Sequence, residues 1–204
     1  MNFLERLHHT YIFPRRIQAL SHHLTALLPP QASVLDVGCG DGLLAHTMQQ
    51  QRPDLTIKGV EVLVRPQTRI PVRAYDGQRL PYADQSFDAV LFVDVLHHTT
   101  DPRQLLREAA RVSRSFIVIK DHTRKGWLAD ATLRWMDDVG NARHGVGRTY
   151  NYWAEEQWHA AYAELALQVQ VWQNRLHLYP WPASWWFDRS LHFVTQLAVS
   201  KHLL

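Results

Sequence analysis

The chain has 204 residues, of which 46% are hydrophobic and 20% charged, with a formal net charge of +3. That length fits one domain with a substantial core, and the charge is too mild to point to nucleic acid by itself. Cys39 is the only cysteine, which excludes an intrachain disulfide and a cysteine-rich metal site. A lone cysteine of this kind is expected to be a small buried filler rather than a nucleophile. No run of 18 apolar residues occurs, so no transmembrane helix is expected. Glu5, Arg6, Arg15 and Arg16 interrupt the apolar residues at the start, which argues against a signal peptide and leaves the cytoplasm as the default location.

Residues 1–28 read as one or two helices broken near Pro14. Ile17, Leu20, Leu24 and Leu27 recur at helical spacing and predict one buried face. Pro29-Pro30 ends this region. His8-His9 and His22-His23 are adjacent pairs whose members diverge on a helix, so they read as surface histidines, and no metal site is expected anywhere in the chain.

A β-branched, apolar run then carries an acid and breaks into glycines: Val34-Leu35-Asp36-Val37-Gly38-Cys39-Gly40-Asp41-Gly42. It restarts as Leu43-Leu44-Ala45. The pattern predicts a strand over 33–38, a tight turn, and a helix over 42–51. Glycines at such a turn let the backbone approach a ligand beside a helix N-terminus. A dinucleotide fingerprint would place Gly or Ala where Leu43 stands. Asp36 and Asp41 would also repel a diphosphate. A ligand carrying positive charge suits them better, and S-adenosylmethionine has both a sulfonium and an ammonium.

A second strand is expected over 55–62, ending at Glu61-Val62, and a third near 70–75, followed by Asp76-Gly77. Only Leu63 to Arg69 lie between them, too few for a crossover helix with its loops. The fourth strand, 87–95, is nearly all apolar, as a central parallel strand should be, and ends at Asp94. Leu96-His97-His98-Thr99-Thr100 follows it. Asp101-Pro102 is a helix start, with Leu105, Leu106, Ala109 and Val112 as its buried face. The fifth strand, Ser115 to Lys120, ends at Asp121-His122. Five strands thus end in or near a polar residue that could face one crevice: Asp36, Glu61, Asp76, Asp94 or His97, and Asp121 or His122.

Beyond residue 122 the composition changes. All eight tryptophans lie between Trp127 and Trp186. A helix is expected over 126–139, a glycine-punctuated loop over 140–148, and a helix ending near 163. A long strand is expected over Leu165–Leu178, a connection through Pro180, Pro182 and Trp185-Trp186, and a last strand over Leu191–Val199. Most of the tryptophans are expected in the core, with Trp181, Trp185 and Trp186 as the exposed cluster.

Four stretches, in this order and spacing, resemble the motifs of the class I S-adenosylmethionine-dependent methyltransferases, type 11 group. They are the glycine turn, Lys58-Gly59-Val60-Glu61, Tyr75 to Tyr82, and Ser86 to Val90 running into Asp94-Val95-Leu96-His97-His98. The resemblance covers residues 33–122 well and the rest poorly. It implies an α/β, Rossmann-like, doubly wound seven-stranded sheet in the order 3-2-1-4-5-7-6, with the last strand antiparallel, and an N-terminal helical cap. It implies a single domain: a cap over 1–30, a cofactor-binding half over 31–122, and a tryptophan-rich acceptor-side half over 123–204. It implies S-adenosyl-L-methionine as cofactor, held by Asp36, Gly38, Cys39, Gly40, Glu61, Val62, Asp76, Gly77 and Asp94. Glu61 would accept from the ribose diol and Asp76 from the adenine amino group.

His97 and His98 lie where a catalytic base would be useful. The 140–153 segment is the candidate acceptor lid, with Tyr150, Asn151 and Tyr152 as substrate residues. The leading expectation is methyl transfer to a small apolar or aromatic acceptor. RNA methylation is an alternative resting on Arg65, Arg69, Arg73 and Arg79, and a non-catalytic cofactor-binding partner subunit is another. The fourth-strand loop lacks the Asp/Asn-Pro-Pro-aromatic motif of enzymes that methylate DNA bases, which argues against nucleic acid as a partner. Self-association is expected, if at all, through the tryptophan-rich half.

Overall fold

The structure is a computed structural model that describes residues 12–141, 150–181, 183–188 and 190–200. A seven-stranded sheet organises it: β1 (Ser33–Val37), β2 (Thr56–Glu61), β3 (Val72–Ala74), β4 (Phe87–Val93), β5 (Ser113–His122), β6 (Leu167–Gln173) and β7 (His192–Val199). The order is β3-β2-β1-β4-β5-β7-β6, with the first five strands parallel and β7 antiparallel to both its neighbours. This is the expected fold. After β3 the chain returns to the other side of β1, so the sheet's switch point lies between β1 and β4.

The helices are α1 (Phe13–Ala26), α2 (Leu43–Gln51), α3 (Pro102–Val112), α4 (Ala129–Asn141), α5 (Glu155–Glu164) and α6 (Ala183–Phe187). α1 starts at Phe13, and Pro14 stands in its first turn, where a missing N–H costs nothing; the stretch before residue 12 lies outside the described residues. The Asp101 side chain accepts from the N–H groups of Arg103 and Gln104 and caps α3. No crossover helix joins β2 to β3, as the short spacing requires. Instead the Arg69 N–H donates to the Asp41 carbonyl, tying this connection to the glycine turn.

Alternation along the strands sends Leu35 and Val37 to one face, with Phe92, Leu106 and Trp158. Val34 goes to the other, with Leu20, Leu24, Met48 and Val118. Asp36 therefore shares the face covered by α1 and α2.

Two expectations fail. The strand expected over Leu165–Leu178 ends at Gln173. His177 takes a left-handed backbone, Leu176 and Leu178 turn into the core beside α1, and Asp188 accepts the Leu178 and Tyr179 N–H groups that a longer strand would have paired. Core burial also fails for Trp127 and Trp135, while Trp181, Trp185 and Trp186 form the exposed cluster that was expected. Trp153 and Trp158 are buried, but Trp127, Trp181 and Trp185 are 85%, 85% and 75% exposed. Trp127 and Trp181 stand on connections, and Trp185 with Trp186 on the short α6. Trp135 is half exposed and stacks on Phe187.

Candidate active site

The site lies along the carboxyl ends of the parallel strands and has two halves. The first is the glycine turn after β1. Gly38 has φ +71°, and a Cβ there would stand 2.6 Å from Val95 Cγ2, so glycine lets the turn pass beneath the loop after β4. Gly40 has φ +59°, and a Cβ there would meet nothing within 4 Å, because it faces the open crevice. Gly38→Ala is expected to cost about 1–3 kcal/mol of stability from strain and crowding. Gly40→Ala should cost less and act chiefly on ligand affinity. Denaturant unfolding of both variants checks the order, and equal losses of stability would contradict it.

Glu61 clamps this turn. Its Oε2 accepts the Gly40 N–H at 2.8 Å and its Oε1 accepts the Val62 N–H at 2.9 Å. Each carboxylate oxygen has a second lone pair, so both can still accept from a diol. Asp36 is buried, and its carboxyl has no hydrogen-bond or ion-pair partner among the described residues. Burial, with Glu61 nearby, pushes its pKa up to about 8. A cationic ligand group would restore its charge, so the residues present fit the ammonium end of S-adenosylmethionine. Cys39 is half-buried; burial, then Asp36, push its thiol up, which makes it a filler and not a nucleophile.

Val62 is exposed beside Gly77, where a Cβ would stand 3.4 Å from Val62 Cγ2. An apolar side chain facing a bare backbone makes a slot suited to a flat ring. Asp76 Oδ1 accepts the N–H groups of Gln78 and Arg79, both at 2.8 Å, and these bonds lower its pKa. Its first task is therefore the turn itself. It also lines a hollow with Arg79, Leu80, Pro81 and Tyr82.

The second half is a buried polar cluster at the ends of β4 and β5. The short 3-10 turn Leu96–His98 follows β4, and His97 is fully buried in it. His97 Nδ1 lies 2.6 Å from Asp121 Oδ1, and its Nε2 lies 3.2 Å from Asp137 Oδ2 without the alignment of a hydrogen bond. Burial disfavours a charged ring, but Asp121 and Asp137 outweigh it and push the pKa of His97 up to about 10. His98 is half-buried, and burial, then the charge of His97, lower its pKa. His122, buried beside Lys120, falls to about 3.

Asp94 does not stand open to a ligand in the crevice. It pairs with Arg16 from α1 at 3.2 Å, with the buried Lys120, and with His122 at 3.4 Å. These partners outweigh its burial and hold its carboxyl well below the ordinary range. Tyr152 is buried, and its hydroxyl donates to Asp137. The Asn151 N–H donates to the His97 carbonyl at 2.8 Å, and Tyr150 stacks on Tyr152. These three residues pack onto the β4 loop; the 142–149 part of the expected lid lies outside the described residues.

Sequence reading missed Arg16, Lys120 and Asp137, and also His192, buried at the start of β7 with its ring centroid 4.8 Å from that of His122. Two carried a signal. Lys120 follows the apolar run Phe116-Ile117-Val118-Ile119 of β5, and Asp137 continues the buried face of Ala129 and Leu133 at four-residue spacing.

Comparison with known proteins agrees with this geometry. Residues 35–116 match the type 11 family model described as a methyltransferase domain. The chain is 33% identical over 131 residues to 27-O-demethylrifamycin SV methyltransferase of Amycolatopsis mediterranei, covering 54% of this chain and 48% of that protein. It is 28% identical over 146 residues to the ubiquinone biosynthesis O-methyltransferase of Idiomarina loihiensis, covering 61% and 58%. The chain thus spans about half the length of these curated relatives. An S-adenosylmethionine-dependent methyltransferase structure from Thermotoga maritima superposes with a TM-score of 0.64 at 18% identity, covering 96% of this chain and 98% of that one, which shows the shared fold. Motifs, strand order and matched segment agree, and together they support a class I S-adenosylmethionine-dependent methyltransferase of the type 11 group.

Proposed function

We propose that this chain transfers the methyl group of S-adenosylmethionine to a hydroxyl oxygen of a small acceptor with an apolar or aromatic body. The observation that carries this reading is the placement of the glycine turn and the histidine cluster on adjacent strand ends, with Val37 of β1 registered against Phe92 of β4. The bound cofactor would supply an electrophilic methyl on a good leaving group. The chain's own task is then placement: Asp36 and Glu61 hold one reactant and the β4 loop presents the other, and such positioning contributes up to about 7–11 kcal/mol.

A hydroxyl must also lose a proton. His98 is half-buried and held neutral, so its ring can accept one. Both curated relatives described above carry O-methylation in their names, which supports oxygen as the nucleophile. Two of the four arginines that suggested RNA are engaged within the protein. Arg69 pairs with Asp41, while Arg73 donates to the Pro81 carbonyl and lies over the Tyr82 ring.

The test is release of S-adenosylhomocysteine from S-adenosylmethionine with a panel of phenols and lipophilic alcohols, their O-methyl ethers, and short RNAs. Turnover with hydroxylated compounds and none with the matching ethers is expected. Turnover with RNA alone would overturn the reading.

A further inference from the structure

We propose that His97, His98 and Asp137 form a binding site for a borderline divalent cation of the zinc, cobalt or iron(II) class. Ligand atoms from the three residues all lie within 4.8 Å of one another. His97 Nε2 and Asp137 Oδ2 are 3.2 Å apart, close to the roughly 3.3 Å edge of a tetrahedral zinc site with bonds of about 2.0 Å. The longest edge must close by about 1.5 Å, which a rotation of the half-buried His98 ring can supply. Adjacent histidines diverge on an α-helix, but in the 3-10 turn their ring centroids stand 4.0 Å apart.

The surroundings have the form that metal ligands require. A ligating histidine ordinarily gives its second ring nitrogen to a carboxylate. His97 does so, with Nδ1 on Asp121 and Nε2 turned toward Asp137. Asp137 is itself held by the Tyr152 hydroxyl. His122 Nε2 lies 3.7 Å from the other Asp137 oxygen and is placed to join or shield the site.

Charge points the same way. Three carboxylates, Asp94, Asp121 and Asp137, face two fixed cations, Arg16 and Lys120, and a bound cation would complete the balance. Two imidazoles and one carboxylate favour zinc, cobalt or iron(II) over magnesium or calcium, which prefer oxygen ligands. Three protein ligands leave a coordination position for an exogenous oxygen. A hydroxyl bound there would release its proton to water more readily, and His98 would then serve as ligand and not as base. Only this last consequence rests on the proposed function; cation binding does not.

The test uses the purified full chain, stripped with chelator and titrated with Co²⁺, reading visible absorbance and calorimetric stoichiometry. One equivalent with the intense bands of a four- or five-coordinate nitrogen-ligated ion is expected, displaced by Zn²⁺ and not by Mg²⁺. His98→Ala and Asp137→Asn should each weaken Co²⁺ about tenfold or more. Circular dichroism checks that each variant folds. S-adenosylhomocysteine affinity, measured separately, should be unchanged, so failure of the metal site and failure of the cofactor reading are distinguishable. Wild-type protein that takes up no stoichiometric Co²⁺ would overturn the proposal, whether or not the variants fold. So would undiminished affinity in both variants.

Discussion

Asp121→Ala is expected to destabilise the protein by about 3–5 kcal/mol, the usual consequence of removing one partner of a buried ion pair. Asp121 is fully buried and accepts three hydrogen bonds, from His97 Nδ1 at 2.6 Å, the Leu96 N–H at 3.0 Å and the His122 N–H at 2.7 Å. Burial alone would raise its pKa, but the charge and hydrogen bond of His97 outweigh burial and lower it. Alanine strands a buried imidazolium and two backbone donors at once. For a chain of this size the loss corresponds to a fall in Tm of roughly 6–20 °C. Asp121→Asn keeps an acceptor for the backbone donors and should lose less. A thermal midpoint for Asp121→Ala within a degree or two of wild type would show that this pair does not hold the β4 loop in place.

Glu61→Ala is expected to weaken S-adenosylhomocysteine binding by about 2 kcal/mol or more, close to thirtyfold, through loss of charge-assisted hydrogen bonds. The same carboxylate holds the Gly40 and Val62 N–H groups, so the variant loses both a ligand contact and the preorganised turn. Glu61→Gln separates these effects. Its amide oxygen can keep one backbone bond, yet it cannot accept from both hydroxyls of a diol while doing so. Calorimetry should rank wild type above Gln and Gln above Ala. Equal affinity in all three would remove Glu61 from the ligand site.

The cofactor half was legible because its signals are local. A glycine turn, an acid at a strand end and an apolar run each announce themselves within ten residues. The missing crossover helix between β2 and β3 followed from counting Leu63 to Arg69. The acceptor half was less legible because it is assembled from distant elements. Arg16, Asp94, Lys120 and Asp137 meet only when α1, the ends of β4 and β5, and α4 converge. His97 and His98 stand out by position and Asp121 as a strand-end acid, but the pairing of Asp121 with His97, and Asp137 on the other side of that ring, were not foreseen. The 165–178 segment misled for a physical reason: alternation there reflects burial of Leu176 and Leu178 in a loop, and burial in a loop has no fixed period. Trp127 and Trp135 misled because composition carries no information about which side of an element faces out.

Binding of S-adenosylmethionine by the glycine turn and its acids is the step on which the proposed function depends. Calorimetric titration of the purified chain with S-adenosylmethionine, S-adenosylhomocysteine and NADH tests it most directly. Saturable, one-to-one binding of the first two with no heat from NADH is the predicted result. Binding of NADH alone would contradict the account at its root.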